Sequence, residues 1–301
     1  MTRVTQSTIA RSAASDIAFG FQGVFVKVTF YGVRGSTPCH GDDTRRYGGN
    51  TSCVAVSAPG NDPLFFDIGT GARYLGAAQP SDRPFHGTCL LSHLHWDHAQ
   101  GLPFFSPLLR EGSHLDLYAP RQDDGRTLIQ TFDDMIRPPM FPVRLQQFPG
   151  RVRFHELEDA DFRIGDFEVR SRLVPHLGPT LGYRVEWGGR SVAYLSDHQQ
   201  PHDGSFAVTA AARELVQGVD LLIHDAQYTR EEFGGRCHWG HSTIDYALWL
   251  AQECSVGTLA LFHHDPTRND DALDEIASCA RVAGRPVVVA SEGLTLDLGG
   301  E

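Results

Sequence analysis

Residues 88–101 read TCLLSHLHWDHAQG and place three imidazoles and one carboxylate within six positions. The short apolar or small residues Cys89 to Ser92 predict the end of a buried strand, which is followed by His93, His95, Asp97 and His98. Buried imidazoles need hydrogen-bond partners, and four polar groups at one strand end would compete for them. A divalent cation removes this conflict because it satisfies several lone pairs at once. The segment therefore predicts a metal site, which we favour over a histidine-rich surface turn.

Histidine and aspartate side chains, which can bind metals, are also found where other predicted strands end. Each of them closes an apolar run or begins the loop after it: Asp67, His176, Asp197, His241 and His263. Any one has a simpler interpretation when taken alone; Asp67, for example, could cap the helix that follows it. Together they predict several strand ends that converge at one edge of the fold, as an active site requires.

The order of predicted elements indicates one α/β domain of two sheets with helices outside. Strands are predicted at residues 24–30, 52–57, 64–66, 115–118, 152–157 and 167–173 (the last two as a pair), on both sides of the Gly188–Gly189 turn, and at 220–228, 258–265 and 287–290. Helices are predicted after the histidine-rich segment to residue 109, at 207–217, within 240–254 and at 270–283. We expect residues 1–25 to form a flexible tail and residues 26–301 a single domain. Prolines and aromatic residues near 121–150 predict an ordered lobe that is inserted in this domain and packs over the site.

The amino-acid composition limits which partners and which cell compartment we expect for this protein. The formal net charge of the 301 residues is −11, and Lys27 is the only lysine, so no long basic stripe is available for a polyanion. This argues against a long nucleic acid and leaves a small anionic substrate, since metal ions can supply positive charge locally. Six cysteines without a CxxC pair indicate a reducing compartment. With no apolar run of bilayer length and no signal-type segment, we expect a cytoplasmic protein without a membrane partner. A homodimer is left open.

These motifs together resemble the metallo-β-lactamase superfamily of zinc hydrolases. SHLHWDH matches the HxHxDH signature of that family, and DLLIHDAQY, GHSTIDYA and LFHHDP resemble the corresponding blocks of its ribonuclease Z and phosphodiesterase-like branch. RGSTPC and YGGNTSC also resemble the small bacterial phosphodiesterase-type members. The resemblance covers roughly residues 26–298 and implies a four-layer αββα sandwich, the metallo-β-lactamase fold.

The resemblance also implies a ligand set for two zinc ions per chain. It assigns His93, His95 and His176 to the first ion, Asp97, His98 and His263 to the second, and Asp197 to a bridging position; Mn²⁺ or Fe could replace zinc at such a site. Asp67 would orient the ligands without binding a metal. The remaining histidines receive no ligand role: His264 is expected to support the ligands or to be exposed, His224 to be a satisfied core residue, and His198, His202 and His238 to make local polar contacts.

His241 suggests which reaction the site performs. It precedes Ser242 and Thr243, so it lies near a predicted helix N-terminus, where the plain alternative is a residue of the capping region. Its family counterpart suggests that it binds the substrate phosphate and protonates the leaving oxygen, for which an imidazole pKa is suited. Asp97 would accept a hydrogen bond from the hydroxide nucleophile while it remains a ligand.

The leading hypothesis is therefore a dinuclear zinc phosphodiesterase that cleaves a small diester with a metal-bridging hydroxide. A cyclic nucleotide is one candidate substrate. Three alternatives stay open: a tRNA 3′-processing endonuclease, which would want a basic exosite; a carbonyl-directed hydrolase such as a lactonase, thioesterase or β-lactamase-like enzyme; and a metal-binding oxidoreductase or non-catalytic scaffold.

Overall fold

The computed structural model describes residues 25–282 and 284–299, which form two seven-stranded sheets. The first sheet contains β1 (Lys27–Gly32), β2 (Cys53–Ser57), β3 (Leu64–Phe66), β4 (His86–Leu90), β5 (His114–Pro120), β6 (Arg151–Leu157) and β14 (Thr295–Asp297) in the order β14-β1-β2-β3-β4-β5-β6. The second contains β7 (Ala160–Ile164), β8 (Phe167–Leu173), β9 (Leu181–Trp187), β10 (Arg190–Leu195), β11 (Leu221–Asp225), β12 (Thr258–Phe262) and β13 (Val287–Val289) in the order β13-β12-β11-β10-β9-β8-β7. The predicted tail falls outside the described residues except for Phe25.

Helices cover the outer face of each sheet. They are α1 (Ala72–Ala77), α2 (Trp96–Ala99), α3 (Leu128–Met135), α4 (Ala210–Val216), α5 (Arg230–Phe233), α6 (Ile244–Glu253) and α7 (Asp270–Cys279). Among the described residues, no helix has the length and apolar character needed to cross a membrane.

Three apolar layers hold the sandwich together, and β3 shows how the sequence builds them. Because side chains alternate along a strand, Leu64 and Phe66 enter the core between the sheets while Phe65 packs under the helices of the first sheet. Phe66 stacks on Tyr194 of the facing sheet with ring centroids 4.6 Å apart. A third layer joins α4 and α6 to the second sheet through residues such as Leu215 and Leu250. Each fully buried apolar side chain of this size stabilises the fold by about 1.5–3 kcal/mol. The predicted four-layer αββα sandwich is confirmed.

The predicted pairing of strands 152–157 and 167–173 is wrong. β6 instead pairs in parallel with β5, whereas β8 pairs antiparallel with β7 and β9 in the other sheet. β7 was not predicted, because it is short and its exposed charged residues alternate with residues that are only partly buried. The chain thus crosses from one sheet edge to the other within the two residues between β6 and β7.

Other differences concern the ends of elements. The helix predicted to run to residue 109 is α-helical only over α2, because Pro103 and Pro107 begin two short 3₁₀ turns after it. The predicted helix at 270–283 ends at Cys279, and the helix at 207–217 begins at Ala210 behind the Thr209 cap. β14 was also missed, since it has three residues that pair only with β1.

In the 121–150 lobe the chain has only one α-helix. Thr127 caps α3, and the backbone N–H of Thr127 donates in return to the side chain of Gln130. Phe132 of this helix stacks on Phe154 of β6 with ring centroids 5.1 Å apart. The lobe is therefore attached to the edge of the first sheet.

Candidate metal centre

The site lies where the parallel strands of both sheets end. Asp67 follows β3 and His93 comes three residues after β4, while Asp197 follows β10 and His263 follows β12. Because β3 and β4 run in parallel, as do β10, β11 and β12, these ends share one edge of the sandwich. The short helix α2 then carries Asp97 and His98 across that edge.

The structure brings all seven predicted ligands together in two adjoining groups. His93, His95, His176 and Asp197 offer donor atoms within 4.8 Å of one another, and so do Asp97, His98 and His263. Asp197 lies between the groups: its Oδ2 is 3.8 Å from His93 Nε2 and 3.6 Å from His176 Nε2. Its Oδ1 is 3.0 Å from His98 Nε2 and 3.3 Å from His263 Nε2. This position is the one that a bridging carboxylate requires.

The donor atoms fit divalent cations on chemical grounds. His93 Nε2 is buried and has no hydrogen-bond partner among the described residues. The Nε2 atoms of His98 and His263 face each other at 3.2 Å. Leaving such groups unsatisfied in a protein interior is costly, and a cation that accepts their lone pairs removes the cost.

The second nitrogen of four of these imidazoles is engaged by the protein, which fixes the orientation of each ring. His98 Nδ1 lies 2.6 Å from Asp67 Oδ2, and His263 Nδ1 lies 2.9 Å from Gln227 Oε1. His176 Nδ1 donates to the Gly240 carbonyl at 2.6 Å, and His93 Nδ1 lies 3.0 Å from Ser92 Oγ. Each contact leaves Nε2 turned toward the donor cluster, an arrangement typical of metal-binding histidines. His95 instead presents Nδ1, at 3.3 Å from His176 Nε2.

Asp67, which is predicted to orient the ligands, lies beside the imidazole of His98. Besides His98, its carboxylate accepts hydrogen bonds from the Ser92 backbone N–H at 2.7 Å and the Tyr194 hydroxyl at 2.6 Å. It is fully buried, and its φ of +56° turns the chain sharply at the end of β3. A charge buried at this depth needs several donors, and here they come from both sheets.

Burial and neighbouring charges set the protonation of the cluster. Burial lowers the pKa of His93 well below its ordinary value and lowers the pKa of His176 to about 4. Burial would raise the pKa of Asp97, but the imidazoles of His98 and His263 outweigh it and hold that pKa low. His98 differs, because burial would lower its pKa but the carboxylates of Asp197, Asp97 and Asp67 outweigh burial and raise that pKa. Neutral imidazoles and ionised carboxylates are the forms that bind metals, so a cation at this site displaces a proton from His98.

His241 lies beside this cluster and is paired with a residue that the sequence analysis did not single out. Its Nδ1 donates to Asp225 Oδ2 at 2.9 Å and is 3.6 Å from Asp197 Oδ2. Burial opposes protonation of His241, but Asp225, Asp197 and Asp97 outweigh it and raise its pKa. Asp225 ends the apolar strand β11, so the strand-end pattern that singled out Asp197 could have found it.

One hydrogen bond and close backbone packing hold the loop that carries Asp97. The Ser36 N–H donates to Asp97 Oδ2 at 2.7 Å. A Cβ added at Gly69 would overlap the Asp97 carbonyl, and one added at Gly101 would overlap the Gly69 carbonyl. Glycine at both positions therefore lets α2 approach the turn after β3 closely.

The remaining histidines lie outside the donor cluster. His264 is buried, and its Nε2 donates to the Ala290 carbonyl at 2.9 Å, so it is not exposed. His224 is a satisfied core residue, as expected, with contacts to the Asp225 carbonyl at 2.6 Å and to His198 at 2.9 Å. His202 and His238 form an exposed pair with their Nδ1 atoms 3.1 Å apart.

Comparison with known proteins agrees with this geometry. A family model described as a beta-lactamase superfamily domain matches residues 65–264, a range that contains every residue of the donor cluster. The chain belongs to the metallo-β-lactamase superfamily. A Ribonuclease Z of Synechococcus sp. (strain WH7803) is 26% identical over 91% of this chain and 96% of that protein, which agrees with the predicted ribonuclease Z-like branch.

Two solved structures share the fold of this superfamily member. The metallo-beta-lactamase fold protein YhfI from Bacillus subtilis has a TM-score of 0.68 and 19% identity over 91% of this chain and 99% of its own. A diphosphatase from the PhnP family has a TM-score of 0.65 and 19% identity over 91% of this chain and 98% of its own. The protein is a metal-dependent hydrolase, and its fold implies that it binds a divalent metal.

Proposed function

We propose that this chain is a cytoplasmic dinuclear zinc phosphodiesterase that cleaves a small anionic diester. The observation that carries the proposal is the His241–Asp225 pair, which lies 3.6 Å from the carboxylate that we assign to the bridging position. Hydrolysis of a diester at neutral pH needs a proton for the leaving alkoxide, and a carboxylate-paired imidazole can hold one there. A carbonyl-directed hydrolase has less use for this group.

The proposed ligands are those grouped above, with Asp197 shared between two cations. When bound, two divalent cations neutralise the phosphate charge and lower the pKa of water to near neutrality. The Ser36 N–H donates to Asp97 Oδ2 and orients this carboxylate, which would accept a hydrogen bond from the attacking water while it remains a ligand. His241 donates the proton that the leaving oxygen requires, and Asp225 holds the ring in place and favours its charged form. General acid assistance of this kind contributes about 10²- to 10⁴-fold to the rate.

The preference for a small substrate rests on charge. The net charge is −11, and two arginines of the 121–150 lobe, Arg126 and Arg137, are already paired with Asp134 of the same lobe. Paired arginines offer little to a long polyanion, whose binding depends on free basic side chains. The name of the Synechococcus relative nevertheless favours tRNA 3′ processing as the second candidate function.

One panel of substrates separates the candidates. Zinc-loaded protein is assayed on bis(4-nitrophenyl) phosphate, cyclic nucleotides, a lactone, nitrocefin and a precursor tRNA. We expect diester cleavage. For a cyclic nucleotide, whose alkoxide leaving group needs a proton, kcat should be about 10²- to 10⁴-fold lower in His241→Ala than in the native protein. His202→Ala, which removes a histidine of the exposed pair, is the matched control and should retain full activity.

Two outcomes would contradict the proposal. Hydrolysis of the lactone or nitrocefin without diester cleavage would assign carbonyl chemistry to the site. Cleavage of precursor tRNA at far lower enzyme concentration than any small diester would make tRNA processing the function and refute the argument from charge.

A further inference from the structure

Three large apolar side chains are exposed on the segments that carry His95, His176 and His241. The exposed fractions are 62% for Trp96, 50% for Leu177 and 58% for Trp239. Trp96 lies between His95 and Asp97 in the chain, and Leu177 follows His176. Of the proposed ligands, His95 is the exposed one, whereas the His176 side chain is only 1% exposed although its backbone reaches the surface. Trp96, Leu177 and Trp239 therefore lie on loops that carry site residues, and we call them the apolar rim.

Trp239 joins this rim through the segment that carries His241. The next residue, Gly240, accepts the hydrogen bond of His176 Nδ1 at 2.6 Å. Leu177 Cγ lies 3.4 Å from the point where a Cβ of Gly240 would be, so the Leu177 side chain packs against the same segment. Trp239 and Leu177 thus lie on adjoining loops that are tied together at the site.

The Trp239 ring is held by a stack of charged and aromatic groups. The Arg236 guanidinium lies 5.5 Å from the centroid of Trp239 and 5.3 Å from that of Tyr228. Arg236 is itself fixed by Asp265, with Nη1 and Oδ2 3.2 Å apart. The Tyr228 ring in turn lies 5.7 Å from the ring of His241. A continuous chain of contacts therefore connects the proposed proton donor to an exposed indole.

Scattered exposed hydrophobic residues are ordinary on protein surfaces, but a cluster of them beside a charged site indicates a ligand with an apolar part. A rigid, exposed indole backed by a guanidinium is a suitable surface for a flat aromatic ring, which gains from stacking. We propose that Trp239, together with Leu177, forms a platform that binds a nucleobase of the substrate and makes the enzyme selective for nucleoside phosphodiesters. This inference rests on the proposed phosphodiesterase function and specifies its substrate class.

The test compares ligands that differ only in the base. Calorimetry on the zinc-loaded protein measures binding of adenosine 5′-monophosphate and of ribose 5-phosphate. From the alanine-substitution range for base stacking, we expect the nucleotide to bind about five- to hundredfold more tightly. This preference should disappear in Trp239→Ala and persist in Trp239→Phe. Tyr74→Ala removes an aromatic side chain of similar exposure, 50%, on α1 and is the matched control.

A kinetic arm uses two diesters with the same leaving group, thymidine 5′-(4-nitrophenyl phosphate) and methyl 4-nitrophenyl phosphate. Trp239→Ala should raise KM for the thymidine ester by about five- to hundredfold and leave KM for the methyl ester within about twofold. A role in folding alone would affect both esters equally.

The outcomes separate the two proposals. Equal affinity of the native protein for the nucleotide and for ribose 5-phosphate would overturn the platform, whether or not Trp239→Ala folds. Cleavage of both esters with equal kcat/KM would overturn the platform and leave the phosphodiesterase intact. Base-dependent binding without cleavage of any diester would support the proposed platform and overturn the proposed phosphodiesterase activity.

Discussion

Replacing Asp67 by asparagine tests how the protein supports its metal centre without touching a predicted ligand. Asparagine has nearly the same shape as aspartate and tolerates the φ of +56° at this position. Its amide, however, has a single acceptor oxygen, and an NH2 group in the place of Oδ1 would face the Ser92 backbone N–H, which donates to Oδ1 at 2.7 Å. Turning the amide to relieve this clash places the NH2 group against His98 Nδ1 and the Tyr194 hydroxyl, each 2.6 Å from Oδ2. His98 would then lose the contact that keeps Nε2 directed at the cluster.

The expected loss can be estimated in two ways that agree. Removing a partner of this kind lowers metal affinity about 10- to 100-fold, which corresponds to about 1.4–2.8 kcal/mol. A hydrogen bond to a charged group contributes about 1.5–3 kcal/mol. Zinc affinity is measured by competition with a chromophoric chelator, and unfolding by urea in excess chelator reports the stability of the metal-free protein separately.

Tyr194→Phe is the matched control for this experiment. It removes one donor to Asp67 but keeps the carboxylate, His98 and the ring stacking on Phe66. We expect it to lower zinc affinity by less than Asp67→Asn. Zinc binding by Asp67→Asn within twofold of the native protein would refute the role assigned to Asp67.

Further predictions concern the turn, the proton donor and acid stability. Gly101→Ala would force a Cβ into the Gly69 carbonyl and should destabilise the fold by about 1–3 kcal/mol in urea unfolding, whereas Gly234→Ala, with open space around it, should be nearly neutral. Asp225→Asn should lower kcat about tenfold to hundredfold and move the alkaline limb of the pH–kcat profile to lower pH, because Asp225 raises the pKa of His241; an unshifted limb would contradict this pairing. Burial lowers the pKa of His264 from 6.5 to about 3, so its contribution to stability is present above pH 6.5 and is lost as the pH falls toward 3. In metal-free protein this histidine should add a slope of up to about 1.4 kcal/mol per pH unit to the free energy of unfolding, and His264→Gln should remove that share; an unchanged slope would contradict the argument.

Much of the site could be predicted from the sequence because histidines and aspartates, which can bind metals, closely follow apolar runs. The strand ends share one edge of the sandwich. A side chain that comes soon after a strand, such as His93 or Asp197, therefore lies at that edge. Asp225 follows the same rule but was missed, because it lies inside a segment that reads as one continuous buried strand. Its partner His241 belonged to the strand-end pattern, but its role as a proton donor came only from a resemblance.

The fold was predicted in outline and missed at its edges for a physical reason. Central strands such as β3 and β11 are buried on both faces and show plainly as apolar runs. Edge strands such as β7 are half-exposed and short, so their composition resembles that of loops. Which strands pair across a two-residue connection depends on tertiary packing, and local sequence does not record it. The rim around Trp239 was likewise invisible, since it depends on loops that are distant in sequence.

The most direct test of the central claim is the position of metals in crystals of the zinc-loaded protein, measured by anomalous diffraction at the zinc edge. We predict two peaks per chain. One should lie among His93, His95, His176 and Asp197, and the other among Asp97, His98, His263 and the same Asp197. A single peak, or a second peak away from Asp197, would contradict a dinuclear centre bridged by that carboxylate.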